Sequence, residues 1–231
     1  MYNKKLFFII FLSIYFVILF ISILIVPKIE KNNHTIFEDY YNEYLDKFEK
    51  ENNEIKQSKK QVDVVFIGDS ITVGFEYFKD YFSKYNCLYR GIGGDDTFRM
   101  YERLDVSLYQ VKPKIVVLCI GGNNIYTMFE NYIDIIISIS KNLPDTKVII
   151  HSIYPTNKSF IERNTVIPDI NIRIKNIVNA YNYIYVDTHS KMVDNNNSFN
   201  LLYTDDGAHP NLDGYKIIVE TIKPYIEECL K

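Results

Sequence analysis

The chain has 231 residues and a formal net charge of −3, from 26 basic and 29 acidic side chains. Its hydrophobic fraction of 47% and aromatic fraction of 15% are typical of a folded protein and exclude an intrinsically disordered one. There is no basic stripe with interleaved aromatic residues, so no nucleic-acid partner is expected.

Cysteine is rare and widely spaced, at Cys87, Cys119 and Cys229. The absence of a C-x-x-C pair argues against a zinc ribbon or a redox motif. Three distant cysteines do not indicate a disulfide framework either. Cys119 lies inside an apolar run, so we interpret it as a core residue.

The N-terminal segment Leu6–Val26 is almost purely apolar and follows Lys4 and Lys5. As a helix it would be about 30 Å long, which matches the hydrocarbon core of a bilayer. A cleaved signal peptide needs a shorter apolar run and a small-residue cleavage site, but no alanine precedes Ala180. Residues 1–27 are therefore predicted to form a single-pass membrane anchor. The short N-terminal tail favours a folded domain outside the cytoplasm, although the flanking lysines nearly balance.

Residues 28–61 are highly charged and are predicted to form a helical stalk, or a helix packed on the domain that follows. Apolar side chains recur there at three- and four-residue steps, which indicates an amphipathic helix. A membrane-surface helix is less favoured, because the segment is also acidic. The apolar positions are Phe37, Tyr40, Tyr41, Tyr44, Leu45 and Phe48, and the acidic ones are Glu38, Asp39, Glu43 and Asp46.

From residue 62 onward, continuous apolar runs alternate with helical patterns. Such runs indicate strands that are covered on both faces, as in a parallel sheet. Residues 62–231 are therefore predicted to be one three-layer α/β domain with a five-stranded parallel sheet. The predicted strands are Val62–Ile67, Asn86–Tyr89, Lys114–Ile120, Lys147–Ile153 and Tyr183–Val186. The predicted helices are Phe75–Lys84, Phe98–Gln110, Phe129–Asn142, Asp169–Tyr181 and a last one from Pro210 towards Leu230.

Clusters of small and polar residues follow the first three predicted strands, at 68–70, 91–95 and 121–124. The carboxyl ends of parallel strands share one edge of the sheet, where ligands bind in open α/β folds. We therefore expect the three clusters to lie together on that edge.

Ser70 in the first cluster is a candidate nucleophile. A serine hydroxyl needs a base to accept its proton and donors that stabilise the oxyanion of the tetrahedral intermediate. The backbone N–H groups of Ser70 and Gly94 and the side-chain amide of Asn123 are candidate donors. Taken singly, Ser70 could be a helix N-cap, Gly94 a turn glycine and Asn123 a turn or cap residue.

Four histidines are candidates for the base. His209 follows Asp206 by three residues in a loop before the last helix, so one tight turn would bring the carboxylate to the imidazole. His189, at the end of the fifth strand, is a competitor. His151 is interpreted as a core or strand-end residue, and His34 lies in the stalk.

Taken together, the motifs resemble those of the SGNH hydrolases, also called the GDSL family of lipases and esterases. The resemblance covers about residues 62–230 and implies a flavodoxin-like α/β/α fold that hydrolyses esters or thioesters without metal or cofactor. It also implies that Ser70 is the nucleophile, that Asp206 and His209 complete the triad, and that Gly94 and Asn123 are oxyanion donors. The motifs are Gly68-Asp69-Ser70-Ile71-Thr72, Arg90-Gly91-Ile92-Gly93-Gly94-Asp95, Gly121-Gly122-Asn123-Asn124 and Asp206-Gly207-Ala208-His209-Pro210.

One residue departs from the family pattern, since Asn124 stands where the third motif usually ends in Asp. Asparagine is nearly isosteric but uncharged, so a hydrogen bond that it accepts from a cation would be weaker. We expect a local effect on loop order and no loss of the chemistry.

The expected activity is that of a membrane-anchored esterase for a small-molecule, lipid or acylated-sugar ester with a short acyl group. The loops at 127–130 and 154–168 are expected to shape the pocket. One alternative is acetyl transfer to or from a cell-envelope polysaccharide, and another is a non-catalytic envelope protein of the same fold. A metal hydrolase is a weaker alternative, because its acidic residues lack recognisable ligand spacing. That set would be Asp95, Asp96, Asp205, Asp206 and His209.

Overall fold

The computed structural model describes residues 26–231. Within that range no helix has the length and apolarity needed to cross a bilayer. The predicted membrane anchor, residues 1–27, lies almost entirely outside the described residues.

One long helix, α1, spans Val26–Ser58 and takes up most of the predicted stalk. The chain divides into two compact units between Asp46 and Lys47, inside this helix. Upstream of that division, the Phe37 ring lies 6.3 Å from the Tyr40 ring and 6.1 Å from the Tyr41 ring, measured between centroids. These contacts join positions three and four residues apart, as the predicted amphipathic helix requires.

The second compact unit begins at Lys47, upstream of the domain border predicted at residue 62. Phe48 and Asn52 in the last turns of α1 are fully buried in it. The Asn52 side-chain amide donates a hydrogen bond to the Val106 carbonyl oxygen at 2.7 Å. The end of α1 therefore belongs to the packed domain, because it carries side chains that the domain buries.

The sheet has five parallel strands in the order β2-β1-β3-β4-β5. This is the strand order of flavodoxin-like sheets, and it confirms the predicted α/β fold class. The ends of the observed strands differ from the predicted ends by at most two residues. They are β1 Val64–Gly68, β2 Cys87–Gly91, β3 Ile115–Cys119, β4 Lys147–His151 and β5 Ile184–Val186.

Alternate residues of each central strand enter different hydrophobic clusters. In β1, Val65 and Ile67 belong to one cluster, and Val64 and Phe66 belong to the other. The two clusters also take in residues of different helices, so helices cover both faces of the sheet. The α-helices are α2 Ser70–Gly74, α3 Thr97–Glu102, α4 Phe129–Asn142, α5 Ile167–Ala180, α6 His189–Met192 and α7 Leu212–Cys229. The 3₁₀ segments are Phe75–Phe82 and Lys158–Thr165, and Asp105–Tyr109 is a π-helix.

The predicted helix Phe98–Gln110 is the clearest correction, because the structure breaks it after Glu102. Arg103 is 2% exposed, and its side chain turns into the domain. Its Nε donates to Asp95 Oδ2 at 2.9 Å and its Nη2 to the Gly68 carbonyl oxygen at 3.0 Å. A buried guanidinium needs such partners. Hydrophobic periodicity along the chain does not predict them, because they are distant in sequence.

Candidate active site

Ser70 is the first residue of α2 and follows directly after β1 and Asp69. The Asp69 carboxylate caps the helix by accepting a hydrogen bond from the Ile71 backbone N–H at 3.0 Å. A Cβ at Gly68 would overlap Thr72 Oγ1 and the Cys119 carbonyl oxygen. Glycine is therefore required there, because α2 lies so close to the ends of β1 and β3.

The structure brings Ser70, His209 and Asp206 into one hydrogen-bonded chain. Ser70 Oγ lies 2.9 Å from His209 Nε2. On the other side of the ring, His209 Nδ1 lies 2.7 Å from Asp206 Oδ2. An ionised carboxylate only accepts hydrogen bonds, so it fixes the proton on Nδ1 and leaves Nε2 as the acceptor for the serine hydroxyl.

The Asp206 carboxylate is held by its own loop. Its Oδ1 accepts the backbone N–H groups of Ala208 and His209, both at 2.8 Å. Partial burial raises the pKa of Asp206, but the hydrogen bonds from the His209 backbone and imidazole and from Ala208 outweigh burial, so the pKa lies well below its usual value. The side chain therefore stays ionised at neutral pH, as an orienting group for the histidine must.

The final helix connects the two halves of this site, which are far apart in the sequence. Asn211 caps α7, since its Oδ1 accepts the Asp213 and Gly214 N–H groups at 3.1 and 3.0 Å. One turn later, the Tyr215 hydroxyl donates to the Ile71 carbonyl oxygen at 3.0 Å. This bond ties the helix that follows His209 to the helix that carries Ser70.

A second set of contacts holds the Asp206–His209 loop from the side of the pocket. Gly207 has a φ of +88°, which favours glycine. The Gly207 N–H donates to Thr204 Oγ1 at 2.9 Å, and its carbonyl oxygen accepts the Asn157 N–H at 2.8 Å. Lys158 Nζ donates to the Asp205 carbonyl oxygen. Nothing in the sequence motifs pointed to Asn157 or Thr204 as partners of this loop.

The two other candidate oxyanion donors are neighbours. Gly94 has a φ of +78° in a turn closed by the Asp95 N–H donating to the Ile92 carbonyl oxygen at 3.2 Å. The Asn123 side-chain amide donates to the Asp95 carbonyl oxygen at 2.8 Å. Within residues 26–231, the cavity beside Ser70 is lined by Asn123 and His209 but not by Gly94.

Asp95, which follows Gly94, is buried together with Arg103. The Arg103 Nη2 lies 2.6 Å from Asp95 Oδ2, so the carboxylate faces a guanidinium in the domain interior. Among the described residues no group of three or more His, Cys, Asp or Glu is placed to hold a metal ion. The weaker metal hypothesis used Asp95, which the structure pairs with Arg103 instead.

Asp69 is a second buried carboxylate near the nucleophile. Burial raises its pKa to about 7; the Ile71 N–H opposes this increase by a smaller amount, and the charge of Asp95 contributes to it. The Asp69 side chain is 4% exposed. Its protonation therefore changes in the neutral pH range, directly beside Ser70.

Asn124 links the loop after β3 to the start of α3. Its side-chain Nδ2 donates to Thr97 Oγ1 at 2.8 Å, and its Oδ1 accepts the Thr97 N–H at 3.4 Å. Both partners are uncharged, so the asparagine is suited to this position. Its contacts hold the loop after β3 against the start of α3.

Neither His151 nor His189 lines the cavity beside Ser70. His151 is 2% exposed on β4, and its Nδ1 lies 2.8 Å from the Tyr154 hydroxyl. Burial lowers the pKa of His151 to about 3, so it is neutral near pH 7. His189 begins α6 and does not line the cavity beside Ser70.

The cavity beside Ser70 has a volume of about 120 Å³ and is bounded largely by apolar side chains. The predicted pocket loop at 154–168 contributes to it, and part of that loop is the 3₁₀ segment Lys158–Thr165. Phe160 and Arg163 on this segment line the cavity. Sequence reasoning named the loop but neither residue, because no local pattern shows which side chains of an irregular loop face a site.

Known proteins similar to this chain include two curated relatives. Platelet-activating factor acetylhydrolase IB subunit alpha2 of Rattus norvegicus is 34% identical over 104 residues, which cover 42% of this chain and 45% of that protein. The alpha1 subunit from the same organism is 42% identical over 69 residues, which cover 28% of this chain and 30% of that protein. The match thus spans less than half the length of these curated relatives.

Among solved structures, a GDSL-like lipase from Bacteroides thetaiotaomicron is 27% identical, with a TM-score of 0.69. The match covers 80% of this chain and 97% of that structure. The sequence profile of the GDSL-like Lipase/Acylhydrolase family matches residues 66–217, which is well over half of the chain. The chain therefore belongs to the GDSL-like lipase/acylhydrolase family, the SGNH hydrolases.

Proposed function

We propose that this protein hydrolyses short-chain carboxylic esters through a Ser70-His209-Asp206 triad and an acyl-enzyme intermediate. The observation that carries the proposal is the hydrogen-bonded chain, with 2.9 Å between Ser70 Oγ and His209 Nε2 and 2.7 Å between His209 Nδ1 and Asp206 Oδ2. These distances lie in the range that a general base needs to accept a proton from its nucleophile.

In the first half-reaction, His209 Nε2 accepts the Ser70 proton as Ser70 Oγ attacks the ester carbonyl carbon. The imidazolium so formed is stabilised by the Asp206 carboxylate and then protonates the leaving alcohol. In the second half-reaction, His209 deprotonates a water molecule, which attacks the acyl-enzyme carbonyl. As the bond between the acyl carbon and Ser70 Oγ breaks, the imidazolium returns the proton to Ser70 Oγ, and the carboxylic acid leaves.

Three hydrogen-bond donors stabilise the oxyanion of each tetrahedral intermediate. They are the backbone N–H groups of Ser70 and Gly94 and the side-chain amide of Asn123. The contact between Asn123 and the Asp95 carbonyl oxygen supports this, because it fixes the amide next to the turn that carries Gly94. Donors held in place before reaction stabilise developing charge without reorganisation.

A short acyl group fits the size of the cavity. Its volume of about 120 Å³ is small, since pockets for drug-sized ligands measure roughly 300–1,000 Å³. The curated relatives are named as acetylhydrolases, which agrees with an acetyl or similarly short acyl group.

The test is a Ser70→Ala variant assayed with 4-nitrophenyl esters of increasing acyl length. We expect the variant to keep its circular dichroism spectrum and lose essentially all activity, and the parent to prefer short chains. A fluorophosphonate probe should label the parent and not the variant, because only an activated serine reacts with it. Hydrolysis by a folded Ser70→Ala variant at the parent rate would refute the proposed nucleophile.

We further propose that residues 6–26 attach this enzyme to a membrane with the domain outside the cytoplasm. The proposal rests on the length and apolarity of that segment. Protease added to intact cells should then digest the domain. Protection in intact cells combined with digestion after lysis would contradict the orientation, and recovery of the full chain in the soluble fraction would contradict the anchor.

A further inference from the structure

Among residues 26–231, the basic side chains that line the cavity beside Ser70 are those of His209 and Arg163. Its Nη1 donates a hydrogen bond to the Gly122 carbonyl oxygen at 3.1 Å. Gly122 directly precedes Asn123, so the guanidinium lies close to the candidate oxyanion donor. The mechanism proposed above gives this cation no role.

Arg163 is held in place by its own segment. Its guanidinium carbon lies 4.9 Å from the centre of the Phe160 ring, which is within the range of a cation–π contact. The next residue, Asn164, accepts the Thr156 N–H at 2.8 Å and donates to the Thr156 carbonyl oxygen at 2.7 Å. These bonds hold the 3₁₀ segment against the loop that follows β4, so the arginine loses less conformational freedom when it binds a ligand.

The guanidinium retains binding capacity towards the cavity. It has five N–H donors, and only the Nη1 group has a hydrogen-bond partner among the described residues. Within residues 26–231 no carboxylate forms an ion pair with Arg163, whereas Arg103 is neutralised by Asp95. A half-buried arginine beside an apolar cavity, with donors to spare and no counter-ion, is suited to a carboxylate or phosphate.

We propose that Arg163 binds an anionic group of the substrate, so that the enzyme prefers esters with a carboxylate or phosphate near the scissile bond. This inference rests on the proposed esterase function and specifies its substrate class. The small cavity requires the charge to lie within a few bonds of the ester, because the same space holds Ser70 and Arg163.

The experiment compares matched charged and neutral esters. On the acyl side, mono-4-nitrophenyl succinate is compared with 4-nitrophenyl butyrate. On the alcohol side, 2-acetoxyethyl phosphate is compared with 2-acetoxyethanol. The quantity measured is the ratio of kcat/KM for the charged ester to that for its neutral partner, with the rate of Ser70→Ala subtracted as background. The two pairs show on which side of the ester the anion lies.

In the parent, we expect this ratio to exceed one for at least one pair. Arg163→Gln should lower it about tenfold to a hundredfold, since hydrogen bonds to charged groups contribute on the order of one to two powers of ten in binding. Arg163→Lys should retain part of the preference, because it keeps the charge and loses the planar geometry.

Arg173→Gln is the matched control. Arg173 also stacks on an aromatic ring, that of Phe129 at 3.8 Å, but it does not line the cavity. It should leave the ratio unchanged. If Arg163 had only a structural role, Arg163→Gln would slow charged and neutral esters equally.

The outcomes separate this inference from the proposed function. Activity towards neutral esters that depends on Ser70, without a charge preference in either pair, would overturn the role of Arg163 alone. An equal loss for both members of each pair in Arg163→Gln would also overturn it. Activity that survives Ser70→Ala would instead overturn the proposed function.

Discussion

The two halves of the site are held by different forces. Ser70 stands on a packed platform, where Gly68 lies against Thr72 and the Cys119 backbone and Asp69 is 4% exposed. The side chains of Asp206 and His209 are 53% and 50% exposed, and local hydrogen bonds hold their loop in place.

This contrast has a consequence for substitutions. A buried residue that no longer fits forces its tightly packed neighbours to shift. Substitutions of the buried residues that support Ser70, such as Gly68, should therefore lower the free energy of unfolding. An exposed hydrogen-bonded loop contributes less to folding, so changes around His209 should cost activity and leave the domain folded.

The largest effect is expected for Asp206→Asn. Asparagine can present its amide to His209 and so favour the wrong tautomer, as happens in serine proteases, where the equivalent change lowers kcat about 10⁴-fold. We expect a comparable fall, with a thermal midpoint close to that of the parent. Asp205→Asn is the control, because Asp205 contacts Lys158 through its carbonyl oxygen. Equal losses in both variants, or normal turnover in Asp206→Asn, would contradict the assigned role.

A smaller loss is expected for Asn123→Ala, which removes one proposed oxyanion donor. Loss of such a donor typically costs about 10²- to 10³-fold in kcat. KM should change little, because the interaction forms mainly in the transition state. Steady-state kinetics measure kcat and KM, and a melting curve checks that the variant stays folded.

Asn124→Ala provides the comparison for that variant. It removes the contacts to Thr97 but no proposed donor. We expect less than about a tenfold fall in kcat, from loosening of the loop. If Asn124→Ala were as damaging as Asn123→Ala, the loop and not the amide would account for both losses.

The sequence predicted the parts of this molecule that depend on neighbouring residues. Val64–Gly68 and Ile115–Cys119 are covered on both faces, so their apolar runs were visible without a structure. Asp206 and His209 meet through one turn, and their three-residue spacing, together with their place before the last helix, was the basis for pairing them. The glycines at 68 and 94 were recognised as turn or motif residues, although Gly68 owes its identity to Thr72 and Cys119.

The parts that it missed depend on residues distant in the chain. Arg103 contacts Asp95 and the Gly68 backbone in the interior, directly after Glu102, where the helix that periodicity extended to Gln110 ends. The end of α1 joins the domain through Asn52 and Arg90, whose side chains are 2.8 Å apart. Both are buried polar contacts between separate elements, and composition and spacing along one segment do not encode such pairings.

Gly68→Ala tests the packing beneath Ser70, where Gly68 lies against Thr72 and the Cys119 backbone. The added methyl group would overlap Thr72 Oγ1 and the Cys119 backbone, so a strand or helix must shift. We expect a loss of about 1–3 kcal/mol in the free energy of unfolding, measured by urea denaturation. Gly122→Ala is the control, because its nearest contact would be Asp69 Oδ2 at 3.9 Å. Similar stability losses in the two variants would show that α2 does not rest on Gly68.

The last expected effect is a pH dependence of stability that is set by Asp69. Burial raises the pKa of the folded Asp69 from 3.8 to about 7. Between these values the folded state holds a proton that the unfolded state has released, so stability falls as the pH rises. From pH 5 to pH 7 this fall amounts to roughly 2 kcal/mol. The Asp69→Asn variant cannot ionise at this position. The difference in unfolding free energy between the variant and the parent should therefore shift by about that amount in favour of the variant from pH 5 to pH 7.

Asp63→Asn is the control for this measurement. Its partial burial opposes ionisation, but hydrogen bonds from Lys114 and the Asn86 N–H outweigh burial and lower the pKa of Asp63. Asp63 is thus ionised in both states between pH 5 and pH 7, and its variant should differ from the parent by a constant amount there. A constant difference for Asp69→Asn as well would mean that Asp69 is charged beside Ser70 throughout. The platform would then carry a buried negative charge near the nucleophile, which would favour the imidazolium form of His209 and disfavour the oxyanion.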